Sequence, residues 1–480
     1  MKLSTKVAYN TIIQIASKVI ATLLGLVAIA MIARYLGQNG FGQYTTVITF
    51  LSFFAVIADL GLTLITVQMI SRQDYSLEKN LGNLLALRLV SAIVLLGLAP
   101  LVVFLFPYPQ EIKLGVLITA LAFLFTALNQ ILVGLFQKNL RMDKVSIAEI
   151  VSRLVLVLGF YLVIKYDYGL YGILTVTIIS NAASFIMHYL FSLPFLKIKL
   201  QFDFVFWKQI LQKSWPLAIT IILNLIYLRT DTLLLSVIPR TSQIGIIAEV
   251  GLYGAAYKVI DVLITLPFMF AGIVLPILTA RWLEKDKEGF KSVLQRSFDA
   301  MIIFAIPVIF GAQFVADKIM VIVAGPEFIV AGKILKLLII ACGAIFFGNI
   351  FAHAVIAIDK QKNIIGAYIF TAITSVIGYL VFIPLYSFYG AAWITIYSEV
   401  AISIASIYLV WKYTNFLPNL EIALKSIFSS IIMSVVLYFS LLFYELNLMA
   451  ALLLATVVYF LTLFVSGGLK KEDLLILINR

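Results

Sequence analysis

One cysteine, two histidines and a small charged fraction are what this 480-residue chain offers to solution chemistry: only 12% of its residues are Asp, Glu, Lys or Arg. A single cysteine, Cys342, cannot close an internal disulfide, and no Cys/His cluster suggests a metal site. His188 and His353 are too few for a metal centre built on imidazoles. Long polar stretches are also missing. The largest links between apolar runs, 194–208 and 280–291, are too short to fold as domains, so no soluble module carries the chemistry.

What is present is apolar: 63% of the residues are hydrophobic, against about half in a soluble globular chain. Lipid is the solvent that accommodates such a composition. A span needs roughly 20 mostly apolar residues, and fourteen candidates lie near 10–35, 43–70, 81–106, 112–137, 145–164, 169–193, 209–238, 250–279, 292–324, 330–358, 363–385, 389–411, 424–443 and 447–466. The fold class expected is an all-α polytopic membrane protein. Lys18 interrupts the first apolar run, which continues to about Ala33 and reads as a retained span, not a cleaved signal. Pro307 is expected to break the ninth span, and Pro267 with Pro276 to bend the eighth.

The net charge of +12 has a topological reading before a nucleic-acid one. Placing the N-terminus and every even connection inside puts 23 of the 35 Lys and Arg there, from Lys2, Lys6 and Arg72 through Lys197 and Lys199 to Lys470, Lys471 and Arg480. Six fall on the other side: Arg34, Lys113, Lys165, Arg240, Lys333 and Lys336. The asymmetry favours cytoplasmic termini and a multi-pass protein of the cell membrane.

Two short motifs recur in order. Gly42-Gln43-Tyr44 parallels Gly251-Leu252-Tyr253, and Tyr168-Gly169-Leu170-Tyr171-Gly172 parallels Tyr386-Ser387-Phe388-Tyr389-Gly390, at offsets of 209 and 218 residues. Six spans per copy is an even number, so both copies insert in the same sense, as in parallel-repeat transporters. The organisation expected is a six-helix bundle over 1–199, a second over 200–413, and an appended helix pair with a tail over 414–480.

Charges inside spans are costly and mark function or pairing. Lys18 shares a face with Thr11, Gln14 and Thr22 and has no carboxylate three or four residues away. Another helix, water or a substrate must meet it, and a cavity-facing placement is favoured. Asp59 has two readings, a partner for Lys18 or Arg88 and a coupling-ion site. Glu149 with Arg153, and Lys258 with Asp261, have the spacing of local pairs. Arg229 and Asp231, two residues apart beyond Thr220, Asn224 and Tyr227, point apart and need different partners. Glu399 has no cation on its own helix face. His353 beside Asn349 reads as a buried polar contact, and Asp299 after Arg296 as a surface pair. If their faces converge, Lys18, Arg88, Arg153, Arg229 and Lys258 line an electropositive chamber suited to a diphosphate or acidic sugar. Asp59, Asp231 and Glu399 are the candidates for ion coupling or charge pairing.

The run Ile32-Ala33-Arg34-Tyr35-Leu36-Gly37, then Phe41-Gly42-Gln43-Tyr44, then Ala58-Asp59-Leu60-Gly61-Leu62 resembles the start of polysaccharide-transport-family flippases, the Wzx-like proteins of the MOP exporter superfamily. Arg229-Thr230-Asp231, Gly251 through Lys258, and Leu266-Pro267 look like the start of their second half. The resemblance implies the fold of multidrug-and-toxin exporters and lipid II flippases. It implies movement of a polyprenyl-diphosphate-linked oligosaccharide to the outer leaflet, cationic lumen residues at Lys18, Arg88 and Arg229, and a lipid groove at the last two spans. No cofactor is expected beyond coupling to H+ or Na+. Partners expected are the lipid-linked oligosaccharide, membrane lipids, and a polysaccharide polymerase or glycosyltransferases, with no nucleic acid. Two other readings stand beside this one. A cation-coupled drug or metabolite exporter of the same fold would favour an acidic or aromatic cavity. A membrane glycan polymerase or ligase would need a sizeable outer loop, which the chain lacks. A membrane scaffold would have no use for charges within spans.

Overall fold

The computed structural model describes residues 3–70, 76–195, 199–442 and 447–469. The side chains of Lys6, Thr11 and Thr220, and the residues Lys2, Arg72, Lys197, Lys470, Lys471 and Arg480, lie outside that description. Among the described residues every regular element is helical, the one spanning solution apart from a closed barrel that satisfies the backbone in hydrocarbon.

Among the described residues eleven helices are long and apolar enough to cross a membrane, and two of them are long enough for two spans and break within. The helix α12 (Gln361–Thr414) has 54 residues, about 80 Å if straight, against a hydrocarbon core of about 30 Å. It reverses at Ser387 (φ 52°), so that Gly390 packs on Phe382, Gly378 on Ile394, and the Tyr379 hydroxyl lies 3.2 Å from that of Thr395. The 57-residue α1 (Leu3–Asp59) breaks at Gly37 (φ 64°). Counting each as two and adding α7 (Phe204–Val237), with α2 (Leu62–Ile70) completing the second span, gives the fourteen expected spans. The others are α3 (Leu77–Val102), α4 (Gln110–Lys138), α5 (Met142–Tyr166), α6 (Gly169–Ser192), α8 with α9 (Ile246–Leu263, Thr265–Leu283), α10 (Lys287–Ala324), α11 (Ile329–Ala357), α13 (Glu421–Leu442) and α14 (Leu448–Val465). The break expected at Pro307 does not occur, and α10 runs through it. The eighth span does break, at Ile264, one turn ahead of Pro267.

The repeat is visible in backbone conformation. Gly37 and Gly245 have positive φ at an offset of 208, Leu140 and Asp359 at 219, Gly169 and Ser387 at 218. The second copy is therefore longer by about ten residues, inserted between the first and second of these turns.

Contacts divide the chain into two compact units, Met1–Gly254 with Val323–Gly325, and Ala255–Ile322 with Pro326–Arg480. This division concerns packing and does not bear on the repeat boundary placed at 199/200. In the first unit α1 packs on α5, α4, α3 and α7. Tyr108, between α3 and α4, bonds the Ser236 hydroxyl of α7 at 2.7 Å, and burial pushes its phenol up to about 12. In the second unit α11 packs on α12 and α9, and α13 on α14. Tyr459 of α14 donates to the Ile303 carbonyl of α10 at 2.9 Å and meets Ser426 of α13 at 2.7 Å, so one phenol ties the last pair to α10 within a shared apolar cluster.

The first recurrent motif packs against its own copy inside the first unit. A Cβ on Gly42 would strike the Ile247 carbonyl, and one on Gly251 the Gln38 carbonyl. At the offset of 209, Ile247 is the counterpart of Gln38 and Gly251 of Gly42, so the contact is isologous. Gly254 meets Thr45, its own counterpart, which places the local two-fold axis between them. Close helix approach through small residues is how membrane helices gain dispersion without a hydrophobic driving force. Alanine at 254 would set its Cβ 2.6 Å from Thr45 Cγ2. Gly254→Ala is therefore expected to lower the melting temperature in detergent, with overpacking costing about 1–3 kcal/mol. Adding Thr45→Ala should recover much of the loss, while Gly272→Ala, where nothing lies within 4 Å, should leave the melt unchanged.

Candidate functional site

The most enclosed cation among the described residues of the first unit is Arg88 of α3, 1% exposed. Its place follows from a backbone defect. The second span stops at Asp59, turns through Leu60 (φ 50°) and Gly61 (φ 73°), and resumes as α2. A bulky non-glycine residue in the left-handed region carries a cost of about 1–2 kcal/mol, and strain of this kind collects where surroundings over-determine the backbone. The break frees carbonyls at the end of α1, and Ser91 Oγ, one turn beyond Arg88, donates to that of Ala58 at 2.8 Å.

Asp59 sits at the break and has two duties. Its Oδ1 accepts from the hydroxyl and the backbone N–H (3.4 Å) of Thr63, capping α2, and it faces Arg88 Nη1 at 2.7 Å. The remaining guanidinium donors go to the Ala127 carbonyl (3.2 Å, from Nε) and to Gln130 Oε1 of α4. Of the two sequence readings for Asp59, the described contacts are those of a charge pair, with Arg88 and not Lys18. Gln130 was missed in the sequence. A neutral amide in an apolar run gives no electrostatic signal, and only its position one helix away from a buried arginine makes it a partner.

Lys18 meets a carboxylate on another helix, Glu149 Oε1 of α5, at 3.7 Å, with both side chains partly exposed. Beside this pair the hydroxyls of Ser17, the residue before Lys18, and Ser146, one turn before Glu149, bridge the same two helices at 2.7 Å. The local Glu149–Arg153 pair expected from spacing does not form: the α1–α5 contact turns Glu149 toward Lys18. Arg153, half-buried, has no carboxylate within 4 Å among the described residues and lies within electrostatic reach of the Tyr44 phenol, which is beside Thr177 of α6. Lys18, Glu149, Arg153, Tyr44 and Thr177 thus form a polar face on α1, α5 and α6 that stays partly accessible at span depth. His188, by contrast, is 3% exposed, bonds the Ser184 carbonyl at 2.8 Å and packs on Phe136.

On α7 Arg229 and Asp231 differ in burial. Asp231 is fully buried and accepts from the Tyr253 hydroxyl of α8 at 2.7 Å, while Arg229 is half-buried. Tyr253 belongs to the recurrent Gly-Leu-Tyr motif, whose signal in the sequence was the repeat and not a bond. Beyond the end of α7, Arg240 pairs with Glu249 at 2.6 Å and donates to the carbonyls of Leu235 and Ile238. Burial pulls its guanidinium down from the ordinary range, and Glu249 opposes that.

In the second unit Lys258 and Asp261 stand 3.7 Å apart, the local pair their spacing suggests. Glu399 is 6% exposed and within electrostatic reach of the Cys342 thiol and Tyr368 phenol. His353 bonds the Asn349 carbonyl and Asn349 donates to that of Pro267, each at 2.8 Å, the buried contact expected. Asp299 takes Gln295 at 2.8 Å and not Arg296, because Gln295 lies one turn behind it on the same face.

Of the predicted site residues, then, Arg88 and Asp59 are brought together and closed off. Lys18 and Arg153 share the accessible face, Arg229 and Asp231 lie on α7, and Lys258 and Glu399 belong to the second unit. Removing one partner of a buried pair leaves an uncompensated charge, at about 3–5 kcal/mol. Arg88→Met is expected to destabilise by that order, and Asp59→Leu with Arg88→Met to recover most of it in thermal melts. A double variant no more stable than the single would show that the two do not act as a pair.

The profile of a family described as "polysaccharide biosynthesis protein" matches residues 31–333. No curated protein sequence matches the chain. Among solved structures, the lipid II flippase MurJ in an inward closed conformation superposes with a TM-score of 0.75 at 18% identity, covering 94% of this chain and 97% of its own. An inward-facing multidrug resistance MATE family transporter of the MOP superfamily gives 0.68 at 12% identity, covering 84% and 98%. A MOP superfamily transporter from Pyrococcus furiosus, described as having a binding pocket of reversed polarity, gives 0.57 at 11%, covering 85% and 95%. At these identities the likeness carries the fold.

Proposed function

From the premise that the chain belongs to the polysaccharide biosynthesis protein family, we propose that it is a flippase. It carries a polyprenyl-diphosphate-linked oligosaccharide from the cytoplasmic to the outer leaflet of the cell membrane by alternating access, with both termini cytoplasmic. The observation that carries this reading is the partly accessible polar face of α1, α5 and α6. There Arg153 stands without a carboxylate within 4 Å among the described residues, and Lys18 is only loosely met by Glu149 at 3.7 Å. A charge at span depth normally has a tight partner. Two cations held this loosely suit an anionic headgroup that arrives and leaves, and arginine takes phosphate oxygens in pairs. The family membership supports a glycan cargo, and a diphosphate is its anionic part.

Arg229 and Lys258 are the further cations assigned to the headgroup. Arg88 is assigned a different task, holding the break of the second span with Asp59. Asp231 and Glu399, buried acids on α7 and α12, are assigned to coupling with H+ or Na+. Transport of this kind makes and breaks no bond, and polymerase or glycosyltransferases would supply and consume the cargo.

The test is a proteoliposome assay with a fluorescent polyprenyl-diphosphate oligosaccharide, scored by loss of protection from a membrane-impermeant quencher. Arg153→Ala and Arg229→Ala are each expected to slow flipping about tenfold or more at unchanged expression, for a charge-assisted contact worth about 1.5–3 kcal/mol. Transport of a cationic dye, with the lipid diphosphate left in place, would replace this reading by that of a drug exporter. That alternative is favoured by the buried acids and the MATE-like fold alone.

A further inference from the structure

The α7 helix is longer than its span. Its 34 residues extend about 51 Å, some 20 Å more than the hydrocarbon core. The apolar stretch toward Val237 is sufficient to cross, so the first three turns lie at headgroup level. Their composition fits that level: Trp207 and Trp215, three phenylalanines in 202–206, and lysines at 199, 208 and 213. Asp203, the one acid in 199–215, is occupied. Lys79 pairs with it at 2.9 Å, and it caps α7 by accepting from the Phe206 N–H at 3.1 Å. The Lys79 contact, followed by that cap, holds its carboxyl below the usual range. The segment therefore presents net positive charge.

It is also rigidly mounted on the first unit. Asn83 Oδ1 of α3 accepts from the Asp203 N–H at 2.9 Å and from the Trp207 indole N–H at 3.1 Å. Phe206, Trp207 and Ile210 are buried in a core shared with α2, α3 and α4, and a Cβ on Gly82 would collide with the Lys199 carbonyl. Against this fixed base, Phe204, Trp207, Lys208, Leu211, Gln212 and Trp215 line a groove of about 470 Å³. Their spacing is that of one helical stripe. Phe204 and Trp215 are 73% and 58% exposed, while the Trp207 ring forms the floor, its N–H already bonded.

We propose that this groove binds one anionic phospholipid of the surrounding leaflet, the Lys208 ammonium on the phosphate and the acyl chain along Phe204, Leu211 and Trp215. The occupant is identified by three features: the position at headgroup depth, the mostly apolar lining, and a lone lysine with no ion pair among the described residues. The site is separate from the accessible cations of α1 and α5, and its occupancy does not depend on what the protein transports.

The experiment is competitive retention on the full-length protein in detergent, read by native mass spectrometry with equimolar phosphatidylglycerol and phosphatidylcholine. Phosphatidylglycerol is expected to be retained about fivefold more, the ratio one lysine near an anionic surface commands. Lys208→Gln should abolish the preference, and Lys213→Gln, off the stripe, should leave it. Equal retention of the two lipids by the wild type, which needs no variant to fold, would overturn the proposal. So would loss of preference in Lys213→Gln equal to that in Lys208→Gln, which would mean diffuse attraction. Displacement of the lipid by inorganic diphosphate at matched concentration would also overturn it, as the mark of a free-anion site.

Discussion

The Arg88 guanidinium is the group on which the first unit turns. Its side chain is closed off from solvent, so its charge must be met by fixed protein groups, and the nearest supply is Asp59 across a broken helix. The break is what delivers the carboxylate: with α1 continued through Leu60 and Gly61, Asp59 would have no α2 terminus to cap and Ser91 no freed Ala58 carbonyl to take. Backbone defect, acid, arginine and serine therefore stand or fall together. Three helices, α1, α3 and α4, are cross-tied by a network with no net charge.

Elsewhere the packing follows the rules of a lipid solvent. Leucines, valines and phenylalanines are exposed along α3, α12, α13 and α14, while serine, threonine and glycine fill the contacts between helices. Ser152 meets Ser180, Ser17 meets Ser146, Gly348 lies under Ser403, and Gly254 under Thr45. Apolar burial gives little where the surroundings are equally apolar, so shape and short polar bonds select helix partners. The repeated Gly-x-Tyr motif obeys the same logic. Its glycine permits contact with its own copy, and in the second copy its tyrosine supplies the bond that buries Asp231.

How much of this the sequence disclosed follows from the range of each signal. Spans are local and long, and the sixth, expected over 169–193, is found at Gly169–Ser192. Repeat motifs mark turns, and Gly169 and Ser387 both have positive φ. Pairing was less legible. The spacing of Lys258 and Asp261 sufficed, but the identical argument failed for Glu149, because α1 brings Lys18 alongside. Pro307 failed as a breaker since neighbouring helices in a membrane tolerate a lost hydrogen bond. Of the accessible face, Lys18 and Arg153 were named from their charge. Tyr44 and Thr177 complete it and gave no comparable sign, because a neutral residue acquires a role only from what the fold puts beside it.

The turns at Gly37 and Ser387 each spend a single residue. Chain of that brevity leaves no ledge on which a water-soluble protein can settle, and no extended stretch for a protease or an antibody to grip. Any partner that engages the chain at those breaks meets helix ends and not a loop.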